Sequence, residues 1–76
     1  MLSLEKLREK ADLKQQEVGE KMNVTQSAVS QWESGETHPK TTLLSKLAAL
    51  YNCTLDELVT AIAVTKTRNP TQSPQN

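Results

Sequence analysis

The chain has 76 residues, 36% of them hydrophobic and none of them Phe, so one small domain is the limit, and a helical bundle with local contacts is the easiest way to close so small a core. Formal net charge is zero, with nine basic and nine acidic residues, which counts against a general nucleic-acid binder, whose usual footprint is a basic excess. A lone cysteine, Cys53, excludes an internal disulfide; with no apolar run near the roughly 20 residues of a membrane span and no signal-peptide pattern, a soluble cytoplasmic protein is expected.

The charges are unevenly placed. Residues 1–36 carry Glu5, Glu9, Asp12, Glu17, Glu20, Glu33 and Glu36 against Lys6, Arg8, Lys10, Lys14 and Lys21. Residues 37–76 carry Asp56 and Glu57 against Lys40, Lys46, Lys66 and Arg68. Local positive patches are compatible with this distribution; a large basic field is not.

Five helices are predicted, and period-two alternation is absent. In the first, Leu4, Leu7 and Ala11 form one apolar stripe, with Arg8 on the same side, and Asp12-Leu13 breaks it. The second runs from about Gln15 to Met22 with Val18 and Met22 facing inward. Gly19 lies between them, where a missing side chain permits close helix approach, and Asn23 suits a left-handed stop. Thr25 is a good N-cap for a third helix over 26–33. Gly35 ends that helix and Pro39 keeps the following loop from becoming helix.

A fourth helix starts near Lys40 or Thr41 and turns Leu44, Leu47, Ala48 and Tyr51 inward. Thr54 caps the fifth, with Glu57 three residues later as in a capping box, and Leu55, Leu58, Val59 and Ile62 are its apolar positions. The domain is expected to span 1–64. Residues 65–76, polar and proline-containing, read as a disordered tail. Cys53, beside apolar neighbours in YNCTL, reads as a small buried hydrophobe.

The third helix holds the informative pattern. With Gln26 at zero and about 100° per residue, Ser30 falls at about 40°, Ser27 at about 100° and Gln31 at about 140°. Ala28, Trp32 and Val29 fill the opposite arc at about 200°, 240° and 300°, and Glu33 lands at its margin, about 340°. The apolar arc anchors the helix, Trp32 being a packing residue, since a helix this short depends on tertiary contacts. The other arc is polar and uncharged. Gln donates and accepts at once, matching the N6 and N7 edge of adenine, and Ser serves a base edge or a phosphate. Periodicity alone leaves open a merely soluble face. The preceding helix and the tight turn KMNVT, with Val18, Met22, Val24, Val29 and Trp32 as internal contacts, have the spacing of a helix-turn-helix whose second helix enters the major groove.

Over about residues 2–62 the sequence resembles the phage Cro and repressor (lambda-repressor-like, Xre-type) helix-turn-helix family. The resemblance is carried by LREKADLKQQEVGEKMNVTQSAVSQWESGETHPK and LLSKLAALYNCTLDEL. Within these, Gln15 opens the second helix, Gly19 is the small residue inside it and Val29 lies in the recognition helix. Glu33, Gly35 and Pro39 form the closing E-x-G and proline loop. Two positions depart from the family pattern: Asn23 replaces the usual Gly of the turn, and Glu36 stands where a base is frequent.

The resemblance implies an all-α, compact five-helix bundle that binds double-stranded DNA as a transcriptional regulator, a repressor acting as a homodimer on two half-sites about 34 Å apart. It implies that Gln26, Ser27, Ser30 and Gln31 face base edges, that Gln15 binds a phosphate at the start of the second helix, and that Thr25 and Lys40 flank the groove as backbone contacts. It also suggests that Arg8 and Glu33, each a charge at an apolar margin, form an ion pair. Ile62 and Val64, near the end of the fifth helix, are candidates for the dimer surface as well as for core packing. Two alternatives stay open: an antitoxin-type interaction module, a kind this family includes, which binds a toxin partner and represses its own operon, and the DNA-binding half of a longer regulator with an effector domain. An enzyme is not expected, because His38 and Cys53 are the sole His and Cys and no third group orients them. No cofactor or metal is expected, since structural zinc needs about four ligands.

Overall fold

The computed structural model describes residues 2–67. Five helices follow one another: α1 Leu4–Lys10, α2 Gln15–Met22, α3 Gln26–Ser34, α4 Leu44–Leu50 and α5 Leu55–Thr67, with a single 3₁₀ turn at Thr41–Leu43 leading into α4. No strand occurs among the described residues. The fourth helix therefore begins later than its sequence suggests. Its first turn is tightened, and Leu44 ends up half-buried rather than enclosed.

The stops explain how so short a chain folds back on itself four times. Asp12, Asn23 and Asn52 have φ near 60° and Gly35 has φ 87°. Asn and Asp tolerate this left-handed conformation because a short polar side chain hydrogen-bonds locally. After α1, α2 and α4 the same closure recurs. The N–H groups of Leu13, Val24 and Cys53 donate to Arg8 O, Gly19 O and Ala48 O at 3.2, 2.8 and 3.0 Å. These are the six-residue hydrogen bonds of the Schellman motif, and they satisfy carbonyls left over at the helix ends. At the start of α5 the expected reciprocal cap is present: Thr54 N–H donates to Glu57 Oε1 at 2.8 Å, and Glu57 N–H to Thr54 Oγ1 at 3.0 Å.

Leu4, Leu7, Val18, Met22, Val29, Trp32, Leu47, Tyr51, Leu58 and Ala61 converge in one core, with Cys53 half-buried and packed against it. The inward face of α5 differs from its sequence reading. Leu58, Ala61 and Thr65 are buried, Ile62 is half-buried, and Leu55 and Val59 are 49% and 50% exposed. Counting apolar residues along α5 cannot fix its rotation, because apolar side chains occur on two adjacent stripes. Contacts with α1 and α3 select the stripe that carries the smaller residues Ala61 and Thr65.

The helix also continues three residues beyond the boundary expected after Val64. Thr65 is the cause: its Oγ1 accepts from Leu4 N–H at 3.0 Å and donates to Ala61 O at 2.8 Å. A polar residue thereby satisfies one of the free N–H groups that open α1, inside the core. Residues 68–76, most of the expected tail, lie outside the described residues. Among the described residues no single helix is long and apolar enough to cross a membrane.

Candidate nucleic-acid interface

The α2–α3 pair is set by one close approach. A Cβ placed on Gly19 would lie 2.9 Å from Val24 O and 3.2 Å from Gln26 N, so the turn and the start of α3 rest directly on the backbone of α2. Asn23 supplies the left-handed step that turns the chain, in place of the glycine usual in the related pattern. Thr25 then caps α3, its hydroxyl accepting from Ala28 N–H at 3.0 Å. Val29 and Trp32 are buried, and this fixes the roll of α3.

With that roll fixed, Gln26, Ser27, Ser30 and Gln31 are all exposed on the outward side of the helix. The first turn of α3 contains no acidic residue. The sole carboxylate of the helix, Glu33, is turned inward, its side chain 7% exposed. The outward surface therefore offers amides and hydroxyls without a negative charge that phosphate would repel.

Arg8 and Glu33 meet across α1 and α3. Arg8 Nε donates to Glu33 Oε2 at 2.6 Å and Arg8 Nη2 to Glu33 Oε1 at 3.3 Å, a two-pronged contact of the strong charge-assisted kind. Arg8 Nη1 also donates to Leu13 O at 2.9 Å, which ties the pair to the turn after α1. The hydrogen bond to Glu33 holds the Arg8 pKa above its ordinary value, against the opposing effect of burial. Nearby, burial pushes the Tyr51 phenol pKa well up and the negative charge of Glu33 adds to the shift, so Tyr51 is neutral across the physiological range. Burial likewise raises the Cys53 thiol pKa, assisted by Glu57, which makes it a poor nucleophile.

Two further contacts join this pair to the outward surface, and single residue types gave no hint of them. Gln15 Nε2 donates to Glu33 Oε1 at 2.8 Å, and Gln26 Nε2 donates to Gln15 Oε1 at 3.5 Å. Arg8, Glu33, Gln15 and Gln26 thus form one connected chain from the interior to the first exposed residue of α3. Only the i+11 separation of two Gln residues, each opening a helix, could have suggested it. Lys40 stands apart from this chain: exposed, it lines a groove with Asn23, Val24, Ala28, His38 and Thr42 beside the α2–α3 turn. No group of three or more His, Cys, Asp or Glu side chains among the described residues is placed to hold a metal ion.

The fold and this surface define a helix-turn-helix domain: a short helix clamped on its partner, with an uncharged polar face turned to solvent. The family model described as Helix-turn-helix matches residues 4–58, and the chain belongs to that family in its lambda-repressor-like form. The chain is also 32% identical over 69 residues to a protein of Enterococcus faecalis described as HTH-type transcriptional activator BcrR. That match takes in 87% of this chain but 34% of the relative, so the chain spans about a third of the relative's length. No solved structure is matched at a significant level.

Proposed function

We propose that the protein reads a specific double-stranded DNA sequence by laying the Gln26, Ser27, Ser30 and Gln31 face of α3 in the major groove. The observation that carries this reading is the uncharged polar face itself, exposed on a helix whose other side is locked into the core. Gln26 comes first and Gln31 second, each supplying roughly 1–3 kcal/mol of discrimination against a wrong base. Gln15, at the start of α2, and Thr25 and Lys40, either side of α3, supply phosphate contacts that set register rather than sequence.

A nine-residue recognition helix spans only a few base pairs, so a homodimer on two half-sites about 34 Å apart fits the need for specificity. The exposed Leu55 and Val59, beside the half-buried Ile62 on α5, are the surface we assign to self-association. Zero net charge implies weak non-specific binding and a shallow salt dependence. Repression follows where the operator overlaps a promoter and the bound dimer excludes polymerase. Activation is the second reading, favoured by the description of the relative as an activator.

Selection of bound duplexes from a random library tests the proposal. A two-half-site motif with adenine opposite Gln26 is expected. Equal binding of all duplexes would sink it. A reporter with the selected site placed within or upstream of a promoter then separates repression from activation.

A further inference from the structure

We infer that the groove beside the α2–α3 turn binds a small aromatic carboxylate, and that this ligand displaces DNA by occupying Lys40. The displacement rests on the DNA-reading role proposed above; the binding does not. The groove has a volume of about 450 Å³, within the roughly 300–1,000 Å³ of small-molecule sites. Met22 and Trp32, 2% and 6% exposed, form its floor. Half-buried Ala28 and Leu43 extend the apolar lining, and exposed His38, Lys40 and Thr42 rim it. An indole and a thioether in one floor favour a flat ring, which gains aromatic contact with Trp32 and sulfur contact with Met22.

The rim favours an anion. Two basic side chains, His38 and Lys40, line the groove and no acidic one does. Among the described residues no carboxylate pairs with the Lys40 ammonium. Glu36, the nearest acid in sequence, is held elsewhere, its Oε1 accepting from Ser34 Oγ at 3.2 Å. His38 Nδ1 lies 3.3 Å from Pro39 O, which leaves Nε2 for a ligand. A carboxylate joined to a ring by a single carbon suits both halves of the groove at once. Ala28 lies about 60° round α3 from Gln31, so the groove borders the proposed base-reading face. Lys40 cannot hold a DNA phosphate and a ligand carboxylate together. Ligand and DNA therefore compete, and each weakens the other by the same factor.

The test is titration of the 76-residue protein with phenylacetate. Nitrogen–proton correlation spectra follow the indole N–H of Trp32, the sole Trp. Phenylacetamide, acetate and inorganic phosphate are run alongside at equal ionic strength. Phenylacetate should shift the Trp32, Ala28 and Lys40 signals at about millimolar concentration, the range for roughly ten non-hydrogen atoms. Lys40→Met, an exposed substitution that keeps the fold, should weaken phenylacetate roughly tenfold, and Lys40→Arg should restore most of it. No response to phenylacetate, or equal binding by phenylacetamide or by Lys40→Met, overturns the inference. Acetate or phosphate acting as strongly makes the groove a bare anion site and overturns it too. With a selected duplex, saturating phenylacetate should weaken DNA binding roughly tenfold against sodium chloride of equal ionic strength. Undiminished DNA affinity with the groove filled overturns the displacement and leaves DNA reading standing. A parent with no sequence preference overturns DNA reading and the displacement, while the titration still decides the binding.

Discussion

Arg8 and Glu33 show how a buried charge can be legible in sequence. Each sits at an apolar margin of its own helix, and a charge there needs a partner; the two side chains are 13% and 7% exposed and hydrogen-bonded through both carboxylate oxygens. Such a pair adds little net stability, because desolvation offsets the attraction, yet removing one member leaves the other uncompensated. Glu33→Gln should therefore lower unfolding free energy by roughly 3 kcal/mol in urea titration; an unchanged midpoint would show the contact to be incidental. Thr65 is the opposite case, since nothing in TAIAVTKT marks it as buried. Its hydroxyl caps Leu4 N–H from 61 positions away. Thr65→Val keeps the shape and strands that N–H, so a loss of about 1–3 kcal/mol is expected, largely restored by Thr65→Ser. Equal stability of the Val and Ser variants would remove the cap from the account.

Among the elements, α2 and α3 behave as a unit because their backbones touch. The space at Gly19 is closed by backbone atoms, which cannot swing aside as a flexible side chain does. Gly19→Ala gains helix propensity, about 1 kcal/mol, but the added methyl meets Val24 O and Gln26 N. The clash is expected to win, with a net loss of roughly 1–3 kcal/mol and a displaced α3. A thermal melt together with an operator-binding assay checks both, and a variant at least as stable as the parent with full binding would refute the close-approach argument. Helix boundaries were largely legible here. Thr25, Thr54, Asn23 and Gly35 are local signals for caps and left-handed stops, and local chemistry alone enforces them. The rotation of α5 was not, because Leu55, Leu58, Val59 and Ile62 span two stripes and only packing against α1 and α3 chooses between them.

At the scale of the molecule, the core and the proposed recognition surface share one set of constraints. Val29 and Trp32 anchor α3 from behind, Glu33 ties its end to α1, and what remains outward is the amide and hydroxyl face. The stripe left outward on α5 belongs to the same scale, since it matters only if a second copy covers it. Val59→Lys should leave the melting temperature nearly unchanged, as exposed substitutions cost under about 0.5 kcal/mol, while shifting the protein to monomer in sedimentation and weakening operator binding at least tenfold, about 1.4 kcal/mol. Unchanged operator affinity would remove α5 from the proposed dimer. The sequence by itself determined the helical class, the caps and stops, the α2–α3 turn and the polar arc of α3, because each depends on residues within a few positions of one another. Tertiary structure alone decided the rotation of α5, the Thr65 cap and the line from Glu33 through Gln15 to Gln26. Those contacts join residues from 11 to 61 positions apart, and only the packed core brings such distant groups within hydrogen-bonding reach.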